Sequence, residues 1–148
     1  MRTLIKGMIA GAAGTSALNA TTYLDMAIRA RGGSSTPQDT VERLAEGLHV
    51  DLGEEETAEN RKEALGTLLG YGTGLGAAVC YATLTRRRAS WPVGVLTLTA
   101  LATIGSNVPM VALGVTDPRE WSVSSWVADI VPHVVYGTAA YIAYEQLR

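Results

Sequence analysis

Asp129 and His133 stand four residues apart, with Tyr136 three further on, giving an Asp-x-x-x-His-x-x-Tyr pattern that one helical stripe would carry. A carboxylate one turn from an imidazole favours the charged ring, and partial burial opposes it. Such a pair could shuttle protons, bind a polar headgroup or, joined by Asp25, hold a metal ion. The structural alternative is that these groups satisfy one another, Asn107 and the carbonyl freed by Pro132, and so fix helix order. Asn19, Asn107, Asp25 and Tyr71 are the other polar residues within apolar stretches. With the helices alternating in direction, Asn19 and Asn107 each fall roughly 22 Å along their helices, and the whole set gathers towards one side. There is no Ser-His-Asp arrangement, HExxH, phosphate loop or nucleotide fingerprint. The sequence therefore names no catalytic residue, no metal ligand set and no cofactor.

Four stretches are long enough to hold these residues inside a membrane, which needs about 20 residues at a 1.5 Å rise. They are 4–28, 64–85, 92–115 and 124–144. Arg2, Lys6 and the small residues near Ala20 also resemble a secretory signal peptide. The run continues through Tyr23, Leu24, Met26 and Ile28, however, and its centre is rich in Gly, Thr and Ser, which favours a span. The expected fold is all-α: an integral membrane four-helix bundle in one domain covering 1–148.

The 31–61 segment between the first two spans is acidic, with eight Asp or Glu residues against Arg31, Arg43 and Arg61. Thr36 reads as an N-cap with Pro37 at the first helical position. Val41, Leu44, Ala45 and Leu48 then recur at helical spacing, so a short amphipathic helix is expected, across the bundle mouth or on the lipid interface. The acids lack the spacing of a calcium loop and read as a solvated face.

Lipid tails are as apolar as leucine, so spans associate through close packing and interhelical hydrogen bonds. Gly66, Gly70 and Gly74 recur every fourth residue in the second span, and Gly7 and Gly11 do so in the first, a line Thr15 continues. These stripes predict a tight antiparallel pair, with a dimer interface as the alternative. Pro109 and Pro132 should kink their helices. The composition agrees, with 16 Gly, 3 Trp, 6 Tyr and no Phe. A net charge of −2 argues against nucleic acid as a partner. Cys80 alone excludes an internal disulfide. Arg2, Lys6, Arg148 and the Arg86-Arg87-Arg88 turn cluster in short segments on one side, which places both termini in the cytoplasm.

The Gly- and Thr-rich first helix, the Pro-started loop helix and the stretch Asp129-Ile130-Val131-Pro132-His133-Val134-Val135-Tyr136-Gly137 resemble the YagU-like small bacterial inner-membrane proteins. His133, Tyr136 and Gly137 carry the resemblance. It implies a multi-pass protein of the bacterial plasma membrane, of poorly defined function with a link to acid tolerance. The function expected is non-enzymatic: a polar cluster of Asp25, Asn19, Asn107, Asp129, His133, Tyr136 and Tyr71 that binds a small ligand, lipid headgroup or proton. Two alternatives stand beside it. One is an accessory subunit that docks a membrane partner, or a second copy, through its glycine stripes and acidic loop. The other is a small membrane enzyme.

Overall fold

Pro37 and Pro92 open helices, and Gly32-Gly33, Gly53 and Gly114 lie in the connections, while Pro109 and Pro132 stand inside helices. The computed structural model describes residues 2–85 and 88–148, so of the Arg86-Arg87-Arg88 turn only Arg88 is described. Helix α1 spans Thr3–Arg29 and stops at Ala30, whose left-handed backbone (φ 49°) returns its N–H to the Met26 carbonyl. Past Gly32-Gly33, α2 runs Thr36–Leu48 with Pro37 in its first turn. Its N-cap is Ser35, one residue before the expected Thr36, and Ser35 donates its hydroxyl to Asp39 instead of receiving a backbone N–H. Helix α3, Glu55–Leu84, takes in the polar residues 55–63 ahead of the expected stretch 64–85 and is much longer than it. Helix α4, Trp91–Ala112, ends three residues short of the expected 115, because Gly114 (φ 69°) turns the chain towards a 3-10 turn at Pro118–Glu120. Ser122 caps α5, Val123–Gln146, by accepting from the Ser125 N–H. The described residues are all helix and connection, with no strand.

Helices α1, α3, α4 and α5 pack as a cycle, α1 on α3 and α5, and α4 on α3 and α5, while α2 lies outside against α3. The interior is made of small residues and tyrosines. Ala10, Ala78, Ala102 and Ala140 are buried with Tyr81, Tyr136, Tyr141 and Tyr144, and Leu98 and Val95 are the bulky aliphatics that α4 adds. The Tyr81 and Tyr144 rings meet edge to face at 5.5 Å.

Small side chains bring the α1 and α3 backbones together. A Cβ on Gly7 would lie 2.8 Å from the Val79 Cα, and one on Gly11 would lie 2.7 Å from the Leu75 Cα. Gly74 receives the Thr15 hydroxyl against its Cα. The rest of the α3 stripe behaves differently. Gly66 faces Pro37 of α2, and Gly70 faces open space, so the expected packing role for Gly70 is corrected. Successive i+4 residues drift around an ideal helix, so even a stripe of about two turns does not stay on one neighbour. Three close contacts lay outside the stripes: Gly14 on the Tyr136 ring, Gly94 on Tyr141 and Gly137 on Thr99.

Among the described residues one helix, Trp91–Ala112, is long and apolar enough to cross a membrane by length and composition. The other three expected spans fall short of that standard because Gly, Thr, Asn and charged residues dilute their averages.

At one end of the core, Glu145 accepts from Arg88 at 2.5 Å and from Arg148 at 3.1 Å, and Lys6 donates to the Arg148 carbonyl. Burial raises the Glu145 pKa, but the two guanidiniums outweigh it and hold the carboxyl below the usual carboxylate range. A depressed folded-state value contributes stability above the unfolded carboxylate pKa, and that contribution is lost as pH falls through the folded value. Stability measured from pH 7 downwards should therefore show an acid limb that Glu145→Gln flattens. An unchanged limb in that variant would remove Glu145 from the account.

Candidate functional site

Two residues in the middle of an apolar helix, Ser106 and Asn107, bring hydrogen-bonding groups from α4 against α5. Asn107 donates its Nδ2 to Asp129 Oδ2 at 3.1 Å. His133 Nε2 lies 3.2 Å from Ser106 Oγ, and His133 Nδ1 lies 2.7 Å from the Asp129 carbonyl oxygen. That carbonyl is not the one Pro132 frees, which belongs to Ala128, four residues before the proline. Nδ1 is also 3.6 Å from Asp129 Oδ1, and the two side chains are 12% and 17% exposed, so a charge on the ring would meet a carboxylate largely away from water.

The bond to the backbone carbonyl assigns the proton on Nδ1, because a carbonyl only accepts. In the neutral ring Nε2 then accepts from Ser106. When the ring is protonated Nε2 donates, and the Ser106 hydroxyl turns its hydrogen to the Ala102 or Thr103 carbonyl, at 3.0 and 3.1 Å. Both charge states of His133 therefore leave every donor with an acceptor. A buried group that is fully hydrogen-bonded in both forms can change charge without an orphaned polar atom.

Several expected members lie elsewhere. Asp25 accepts from Arg29 and Arg31, each at 2.7 Å, and Arg29 continues to Ser124 of α5. Two cations, four and six residues away, out-compete a histidine on another helix. Tyr136 shares a helix with His133, yet its phenol crosses the core and donates to the Gly74 carbonyl of α3. A side chain that long is aimed by its neighbours as much as by its stripe. Tyr71 is 39% exposed on α3, and half-buried Asn19 makes none of the cluster's hydrogen bonds. Ser106 is the member that sequence reading missed. Its signal was the pair Ser106-Asn107 in an otherwise apolar helix, of which the weaker half was overlooked.

Among the described residues no three His, Cys, Asp or Glu side chains group closely enough to hold a metal ion. Asp25 would have been the third ligand beside Asp129 and His133, and its two arginines keep it away. Compared with protein-family models, curated proteins and solved structures, the chain matches none, and nothing identifies a YagU-like family.

Proposed function

We propose that this chain is a multi-pass membrane protein, a four-helix bundle in the bilayer whose α4–α5 contact carries a proton-binding site at His133. The distribution of side-chain size supports the membrane reading. Leu4, Met8 and Leu24 of α1, Leu84 of α3, Leu96 and Ile104 of α4, and Ile130 and Ile142 of α5 are all exposed, while Gly, Ala and Tyr fill the interior. Water would drive the large apolar groups inwards, and lipid would leave close packing of small residues to hold the helices. Hydropathy averages over α1, α3 and α5 stay low because their inner faces are small and polar, although their outer faces are apolar. Trp91 lies near one end of the core, and Trp121 with Trp126 near the other, in ring contact at 4.9 Å, where interfacial aromatics would stand. The local density of cations puts the Lys6 and Arg148 end in the cytoplasm. The likeness of 129–137 to YagU-like proteins belongs to this reading, and with it a bacterial plasma membrane.

The observation that carries the proton site is the pair of hydrogen-bonding states available to His133 through Ser106. Histidine NMR in mild detergent tests it, with exposed His49 as the internal reference. The His133 ring signals should shift on acidification, and the Ser106 amide should move with them. In Ser106→Ala the ring should still titrate while the coupled movement on α4 disappears. A His133 signal that stays still while His49 titrates would sink the proton site. Recovery of the protein in the soluble fraction after cell lysis would sink the membrane reading.

A further inference from the structure

Helix α2 carries an apolar stripe that α3 covers only in part. Val41 and Ala45 are buried against α3, but Leu44 is 36% exposed and Leu48 71%. Across from them stand Leu65, Leu68 and Leu69 of α3, and the loop returning from α2 adds Val50. Together they form an open cleft of about 260 Å³ lined by apolar side chains alone. An exposed apolar cleft of this kind marks a binding surface.

The surroundings of the cleft are strongly one-signed. Between residues 36 and 63 there are nine acidic and three basic residues. The basic ones are already engaged: Arg43 with Glu46, Lys62 with Glu42 and Glu59, and Arg61 with the Leu52 carbonyl. Burial lowers the Lys62 pKa less than its two carboxylates raise it, Glu59 foremost, so this cation stays committed to its partners. Glu54 at the N-cap of α3 and Glu55 and Glu56 in its first turn, two to three turns before Leu65, have no ion pair among the described residues. They line an open hollow together with Glu59.

We infer that the α2–α3 cleft docks a basic amphipathic helix of a partner protein, with its leucines in the cleft and its lysines or arginines against Glu54, Glu55 and Glu56. Charge complementarity selects this occupant. An anionic lipid surface would be repelled by the same carboxylates. A second copy presenting its own α2 would set Glu42, Glu46 and Asp51 against like charges. A helix laid in a groove anchors through residues at i, i+3, i+4 and i+7, and the basic flank sets its direction. Leu65, Leu68 and Leu69 open the second proposed span, so the cleft sits at its mouth, while Glu54, Glu55 and Glu56 lie before it; none of these residues takes part in the proton site at His133, and the inference does not depend on that site.

The test uses the full chain in a neutral detergent and a fluorescent 18-residue Leu/Lys peptide with leucines at i, i+3, i+4 and i+7. The controls are a scrambled peptide of the same composition and empty micelles. The striped peptide should raise the anisotropy saturably, and its affinity should fall at least about tenfold between 50 and 300 mM salt, as screening weakens exposed charge contacts. Leu48→Asp, at an exposed position the fold does not need, should abolish binding. Glu54→Gln with Glu55→Gln and Glu56→Gln should weaken it at least about fivefold and remove most of its salt dependence. Circular dichroism should show both variants folded. Equal binding of the scrambled peptide, or binding that survives Leu48→Asp, overturns the inference. So does a Leu48-dependent dimer, or Leu48-dependent binding to phosphatidylglycerol vesicles in place of the peptide.

Discussion

Gly11→Val should lower the stability of the folded chain by about 1–3 kcal/mol, while Gly70→Val should change it by less than about 0.5 kcal/mol. The two glycines look alike in sequence, since each belongs to a small-residue stripe with a four-residue step. Their surroundings differ entirely. A Cβ at Gly11 would meet the Leu75 Cα at 2.7 Å and the Gly74 carbonyl oxygen at 2.9 Å. Both are backbone atoms, so neither can rotate away, and α1 and α3 must separate as units. Separation also pulls Thr15 off Gly74 and Gly14 off the Tyr136 ring. A Cβ at Gly70 meets nothing within 4 Å. Unfolding midpoints of the two variants in one detergent give the comparison. Equal losses would mean that α1 and α3 do not meet where the structure places them.

Tyr136→Ala should be the most damaging single truncation, at about 3–5 kcal/mol, and Tyr136→Phe should cost only about 0.5–1.5 kcal/mol. The ring is fully buried, lies against Gly14 of α1, and sends its hydroxyl to the Gly74 carbonyl of α3. Truncation opens a cavity where three helices meet, and the small residues around it have no bulk to collapse inwards. The Phe variant keeps the packing and loses one hydrogen bond to a carbonyl that already serves its own helix, which places the loss at the low end. The pair also separates roles. If Tyr136 belonged to the polar site, Tyr136→Phe would change the pH response of His133 at full stability. A packing role leaves that response intact. A large response change with unchanged stability would return Tyr136 to the site.

The polarity around Asp129 was legible in sequence, but the full length of α3 and the composition of the polar site were not. Asp129, His133 and Asn107 stand out because polar groups inside apolar helices are costly and rare. Asp25 stands out for the same reason, and its local arginines hold it elsewhere. Ser106 is too small and too common in helices to draw notice, yet its hydroxyl lets the imidazole change charge without losing a partner.

The amino-acid sequence by itself determined that the chain is helical and where several of its helices start or stop. Pro37 and Pro92 open helices at fixed φ without needing an N–H, and Gly114 supplies the left-handed backbone that turns the chain after α4, whereas Ala30 and His49 adopt it without being glycine. It also determined the apolar stripe of α2, because a 3.6-residue period is a local property. Only the tertiary structure decided how each helix is rotated about its axis against its neighbours. That rotation separates Gly11, in contact, from Gly70, in the open, and sends Tyr136 to α3 while His133 turns to α4. Periodicity defines a face, but which helix meets it depends on simultaneous fit to two or three partners. A chain rich in small residues leaves many such fits open until backbone contacts at Gly7, Gly11, Gly74 and Gly137 select one.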